Sequence, residues 1–183
     1  IVLALGVSWM LDGLEVTLVG SLGAVLQRDD TLGLSVTDIG LAGSIRDYVM
    51  TTHWDATLRL EQIDYNGQPA GYVVDPQEVV NYVENHDNWT LFDNNAFKLP
   101  TATSREDRAR VQILGAAINS FSQGVSYFHA GIDTLRSKSL DRNSYDSGDW
   151  FNRIDWSYRD NGYAAGLPPQ GDNGGNWSVM GPL

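Results

Sequence analysis

His86 and Asp87 stand side by side in the phrase YVENHDNWTLFDNN, residues 82–95, of a chain with only three histidines. An imidazole next to a carboxylate brings hydrogen-bond donors, acceptors and charge to one place. The run VVNYV at 79–83 precedes the pair, and its β-branched and aromatic residues predict a strand. A second short strand is predicted at 125–131, VSYFHAG, and between the two lies the strongest helical pattern of the chain, 105–122. There Ser104 is placed to cap, Glu106 and Asp107 sit in the positive first turn, and Val111, Leu114, Ala117, Ile118 and Phe121 recur at helical spacing. Strand, loop, helix, strand is the unit that builds parallel sheets and barrels, and residues just after such strands share one rim. With adjacent parallel strands, His86, Asp87, His129 and Asp133 are expected to converge there.

The elements around this unit are weaker. Residues 132–156 read as a long loop in which Tyr145, Trp150, Phe151 and Trp156 alternate with Asp, Asn and Arg. Aromatic faces beside paired donors and acceptors suit a neutral polyol, and the same composition serves a loop packed over its own barrel end. Residues 44–74 read as an irregular hairpin region with a turn at Asn66-Gly67, after which Asp75, Pro76 and Glu78 spell the start of a helical turn. The unit 75–166 is followed by an irregular Gly/Pro-rich tail, 167–183. Calcium beside Asp87, Asp93 and Asp133 has no metal-loop spacing behind it, so neither metal nor other cofactor is expected. Lone His53 reads as a surface or turn residue.

The composition narrows the classes of partner. Across 183 residues there are 23 acidic and 12 basic side chains, a formal net charge of -11, which repels nucleic acid. The absence of cysteine removes a thiol nucleophile and a disulfide framework. The first segment, 1–43, is of a different character, mostly Leu, Val, Gly, Ala and Ile. As a helix at ~1.5 Å per residue, residues 1–26 would cross a hydrocarbon layer of about 30 Å, which predicts membrane insertion. Asp12 and Glu15 would then share one helical face, expensive in lipid unless it lines a polar cavity. The phrase WMLDGLEVTLVG, 9–20, resembles the first transmembrane helix of major facilitator superfamily transporters, and the likeness implies a proton- or substrate-coupling role for Asp12 or Glu15.

A second resemblance covers more of the chain. DPQEVVNYVENHDN at 75–88, SREDRARVQILGAAINSFSQGVSYFHAG at 104–131 and DTLRSKSLDRNSYDSGDWFNRIDW at 133–156 resemble the end of the catalytic barrel of bacterial pullulanases. These are starch-debranching members of the α-amylase superfamily, glycoside hydrolase family 13, and the likeness extends over about 47–166. It implies an α/β fold, an incomplete fragment of an eight-stranded barrel preceded by the apolar helix, and α-glucan as partner. By the resemblance Asp87 is the transition-state-stabilising carboxylate and His86 a contact to a hydroxyl of the same ring. Asn88, Asp133, Asn143, Tyr145, Asp149 and Trp150 are implied at the substrate rim. The family usually carries Gln where this chain has Trp89, which makes the packing beside the pair an open question. The nucleophile and acid/base of that family come from earlier strands, so the chain alone is expected to be inactive. Its location is then extracellular or cell-envelope, or the membrane if residues 1–26 insert. A chain joining the two resemblances near 43–47 reads as a chimeric or truncated fragment, with an α-glucan-binding accessory protein and a transporter fragment as the alternatives.

Overall fold

A computed structural model of the protein describes residues 43–183 apart from His53 and Asn66. The chain divides into two compact units. The first, Ile1–Asn81 with Ile118–Ser126, is described from Gly43 onward. Its strands are short: β1 (Val49–Thr51) pairs antiparallel with β2 (Thr57–Arg59), placing Met50 opposite Leu58. β3 (Asp64–Tyr65) pairs antiparallel with β4 (Gln68–Pro69). Gly67 lies between them at φ 83°, a left-handed conformation that glycine adopts without a Cβ clash, and its N–H donates to Asp64 Oδ1 at 3.1 Å. Leu60, Ile63 and Ala70 form a small buried cluster on which Met50 and Leu58 pack.

The same unit contains the predicted helical start, reduced to one 3-10 turn over Pro76–Glu78. Glu78 Oε2 accepts from the N–H groups of Val74 and Asp75 at 2.7 and 3.2 Å, and these bonds hold its carboxyl below the usual carboxylate range. β5 (Val80–Asn81) then pairs in parallel with β6 (Val125–Ser126), Val80 opposite Val125. Gly124 precedes β6 at φ 118°, and a Cβ there would lie 2.6 Å from Val79 Cγ1, so both backbone conformation and space demand glycine. The strands predicted over 79–83 and 125–131 are thus present as two-residue ladders.

The second unit comprises Tyr82–Ala117 and Tyr127–Leu183. It opens with α1 (Leu91–Lys98), whose cap Thr90 accepts from Asp93 N–H at 3.1 Å. The long helix α2 (Arg105–Phe121) begins here, and Ser104 Oγ accepts from Asp107 N–H at 3.1 Å as its sequence predicts. Single helical turns follow at α3 (Asp149–Asn152), α4 (Gln170–Asn173) and α5 (Trp177–Met180). Two of these lie in the tail expected to be irregular, and α1 lies where a polar loop was expected. Each residue from Arg136 to Asp141 is buried, although the segment belongs to no helix or strand.

The expectation of an apolar transmembrane helix requires correction. Residues 1–42, with Asp12 and Glu15, lie outside the described residues. Among the described residues no helix is long and apolar enough to cross a membrane. The longest, α2, has 17 residues and carries Arg105, Glu106, Asp107, Arg108 and Arg110 in its first two turns. Membrane insertion and a membrane location are therefore withdrawn. What is described is an α/β arrangement with one parallel strand pair, consistent with part of a barrel.

Candidate functional site

The chain leaves β5 and enters the turn carrying His86 and Asp87. Their Nε2 and Oδ2 atoms are 3.5 Å apart, and the side chains are 62% and 61% exposed, so the pair faces solvent. The backbone beneath them is held firmly. Asp87 N–H donates to Asn85 Oδ1 at 2.8 Å, and the buried Lys138 ammonium donates from Nζ to the His86 carbonyl at 3.1 Å. Asn88 follows at φ 55°, a left-handed conformation that Asn tolerates better than most residues. Trp89 donates its indole N–H to Leu140 O at 3.0 Å and packs its ring on Phe97, centroids 4.8 Å apart. The open question at Trp89 is thereby answered, since the indole turns into the unit and ties the turn to residue 140.

Below this turn lies a polar interior that sequence patterning did not reveal. Asp93 is fully buried and accepts from Ser137 Oγ and from Lys138 N–H, the latter at 2.8 Å. Burial pushes its carboxyl above the usual range, opposed by those two bonds. Burial also lowers the Lys138 ammonium, and the nearby charge of Asp141 opposes that shift most strongly. Asp141 accepts from Asn143 N–H and Asn173 Nδ2 at 2.9 Å each, and from Ser147 Oγ at 2.5 Å. The one available signal was the phrase RSKSLD, charged and hydroxylic with no helical or strand period; its burial depends on partners distant in sequence.

A second buried group surrounds His129. Glu84 Oε1 stands 3.4 Å from His129 Nδ1, and Glu84 Oε2 accepts from Leu91 N–H. On the other side of the ring Arg136 Nη1 lies 3.3 Å from Nε2. Burial lowers the Arg136 guanidinium, and the Glu84 charge counters this. His129 and Asp133 line a cavity of about 500 Å³ together with Ile113, Phe128 and Trp156. His86 and Asp87 are not among its lining residues, so the expected meeting of all four is not realised there.

The remaining candidates lie along 143–156. Asn143 Nδ2 donates to Asp172 Oδ2 at 2.9 Å, which turns this side chain toward the tail. Tyr145, in a 3-10 turn over Ser144–Asp146, is 81% exposed, and Trp150 is 57% exposed. Trp150 donates to Ala165 O at 2.9 Å beneath the guanidinium of Arg153, 5.1 Å from its ring centroid. Asp149 opens α3, its carbonyl accepting from Arg153 N–H at 2.9 Å. The calcium ligands considered from sequence are not assembled, because the Asp93 carboxylate is taken by Ser137 and Lys138. Among the described residues no group of three or more His, Asp or Glu could hold a metal ion.

Comparison with known proteins agrees with the barrel-end motifs. The chain is 44% identical over 145 residues to pullulanase of Klebsiella aerogenes, covering 79% of this chain and 13% of that protein. It is 44% identical over 144 residues to the chloroplastic pullulanase 1 of Arabidopsis thaliana, covering 78% and 15% respectively. The structure of Klebsiella pneumoniae pullulanase complexed with maltotriose superposes with a TM-score of 0.77 at 44% identity, covering 80% of this chain and 14% of that one. No family model matches the chain, and the transporter resemblance of residues 1–43 is left without support and withdrawn. The chain spans only 13% and 15% of the length of the two curated relatives, and about four fifths of it is a region homologous to pullulanases.

Proposed function

We propose that this region supplies the substrate-facing end of a starch-debranching domain, with α-glucan as ligand. Asp87 is the carboxylate that steadies an oxocarbenium-like glucosyl ring, and His86 contacts a hydroxyl of the same ring. The observation that carries this reading is the His86–Asp87 pair itself, exposed to solvent while its backbone is fastened from beneath by Asn85 and Lys138. Pairs of that kind present polar atoms in fixed directions, which a ring with several hydroxyls requires. Homology to pullulanases over most of the chain supports the choice of ligand. A retaining hydrolase needs two further carboxyl groups about 5 Å apart across the scissile bond. The pullulanase-like motifs of this chain include neither, so one carboxylate of the set is present and hydrolysis by this chain alone is not expected.

Two assays test the reading. Titrating isotope-labelled chain with maltotriose should shift the amide signals of His86, Asp87 and Asn88, and Asp87→Asn should weaken that response. Incubation with pullulan should release no linear maltooligosaccharides. Release abolished by Asp87→Asn would overturn the predicted inactivity, and a chain indifferent to maltotriose would overturn the assignment of ligand. The exposure of Tyr145 and Trp150 favours one other reading, a glucan-binding surface along 143–156. Signal changes confined to those residues would select it.

A further inference from the structure

We infer that Lys138 is a positioning residue for the sugar-contacting pair, acting through its buried ammonium on the backbone of His86; the inference rests on the glucan reading above. Lys138 is 1% exposed, and its Nζ donates to the carbonyl of His86, the residue before Asp87, at 3.1 Å. Burying an ammonium is costly, and a buried charge cluster replaced as a whole by apolar side chains of similar volume is often as stable or more so. A cation at this place is therefore informative about more than packing.

The surroundings show what it can do. Its own N–H is fixed by Asp93 at 2.8 Å, so the base of the side chain is anchored while its tip reaches the turn. Asp141, Asp93 and Asp87 all contribute charge that favours the ammonium, whereas Arg136 opposes it. Three ties hold the turn: Asn85 on the Asp87 N–H, Trp89 on Leu140 O, and Lys138 on His86 O. Lys138 and Asn85 grip the two ends of the peptide unit that joins His86 to Asp87, and of the three ties only Lys138 is charged. Rotation of that peptide would move both ligand-facing side chains together. Lys138 also lies outside the residues assigned to touch sugar, so its role is to fix the direction in which they point.

The test compares maltotriose affinity with stability in the full chain. Lys138→Met should weaken binding by at least tenfold at a temperature where the variant is fully folded. Lys138→Arg, which keeps a donor, should stay within threefold of the parent. Asn173→Ala loosens the Asp141 network without touching the turn and should bind within twofold, whatever its loss of melting temperature. Lys138→Met binding as the parent does would overturn the inference. So would loss of affinity in step with Asn173→Ala, or an arginine variant as weak as the methionine one, which would assign the effect to packing. A parent chain giving no maltotriose response removes the ligand reading and this inference with it; a parent that responds equally with Lys138→Met removes the inference alone.

Discussion

Replacing Asp93 by Ala should be among the most damaging single changes in the second unit. The carboxylate is 0% exposed and accepts from Ser137 Oγ and Lys138 N–H, which belong to residues 2% and 1% exposed. Water cannot readily replace it at either donor. A buried donor left without a partner costs about 1–3 kcal/mol, so the pair together should cost roughly 2–6 kcal/mol. Asp93→Asn should cost about 1 kcal/mol or less, because the amide oxygen can accept from Lys138 while its NH₂ donates to a rotated Ser137 hydroxyl. Acid should separate the parent from both variants, because neither Ala nor Asn can bind the carboxyl proton. Burial raises the folded pKa of Asp93 above its unfolded value, so the folded unit binds this proton more strongly. That contribution is fully present below the unfolded carboxylate pKa and is lost as pH rises through the folded one. Asp93→Ala and Asp93→Asn should therefore both flatten this part of the pH dependence. Urea unfolding, followed through amide signals of the second unit at about pH 4 and about pH 7, reads both effects. Equal damage from Ala and Asn, or a loss below about 1 kcal/mol for Ala, would refute the reasoning.

Two further outcomes follow from the packing. Leu60→Ala removes a fully buried side chain from the cluster with Ile63 and Ala70 and should cost the first unit about 2–5 kcal/mol, measured by denaturant titration, while leaving the maltotriose response unchanged. Ser104→Ala should cost α2 about 0.5–2 kcal/mol and speed amide exchange in its first turn; unchanged exchange would count against the cap. Ser104 and Arg110 hold the Asp107 carboxyl below its usual range, so its contribution is present above the unfolded carboxylate pKa and fades as pH falls through the depressed value.

The legible parts of the fold were those governed by neighbours in sequence. The Ser104 cap, the acidic first turn and the apolar spacing foretold α2, which ends at Phe121, one residue before the predicted end. The parallel order of β5 and β6 followed from strand, helix, strand connectivity. By contrast α1 was read as loop, since Asp, Asn and Lys mask an eight-residue helix whose decisive features are the Thr90 cap and the buried Asp93. The pair His86–Asp87 was visible as residue types, whereas Lys138, Glu84 and Arg136 were not, because a charge is read as exposed until a partner distant in the chain is known. The apolar character of 1–43 suggested a membrane span, and neither the helices described nor the matched relatives support it.

Leu135, Ser139 and Leu140 adopt φ values of 58°, 51° and 65°, flanking or within the buried run 136–141. Left-handed backbone at leucine and serine tolerates few replacements, and β-branched ones least. A saturation library scored on glucan capture should consequently show this strap as intolerant as residues that meet the ligand, although Asp93, Trp89 and His86 are what it holds. Counting surviving folded molecules alongside captured ones would tell scaffold from contact. Under the proposed glucan reading, variation belongs at the exposed Tyr145 and Trp150 and not in the strap.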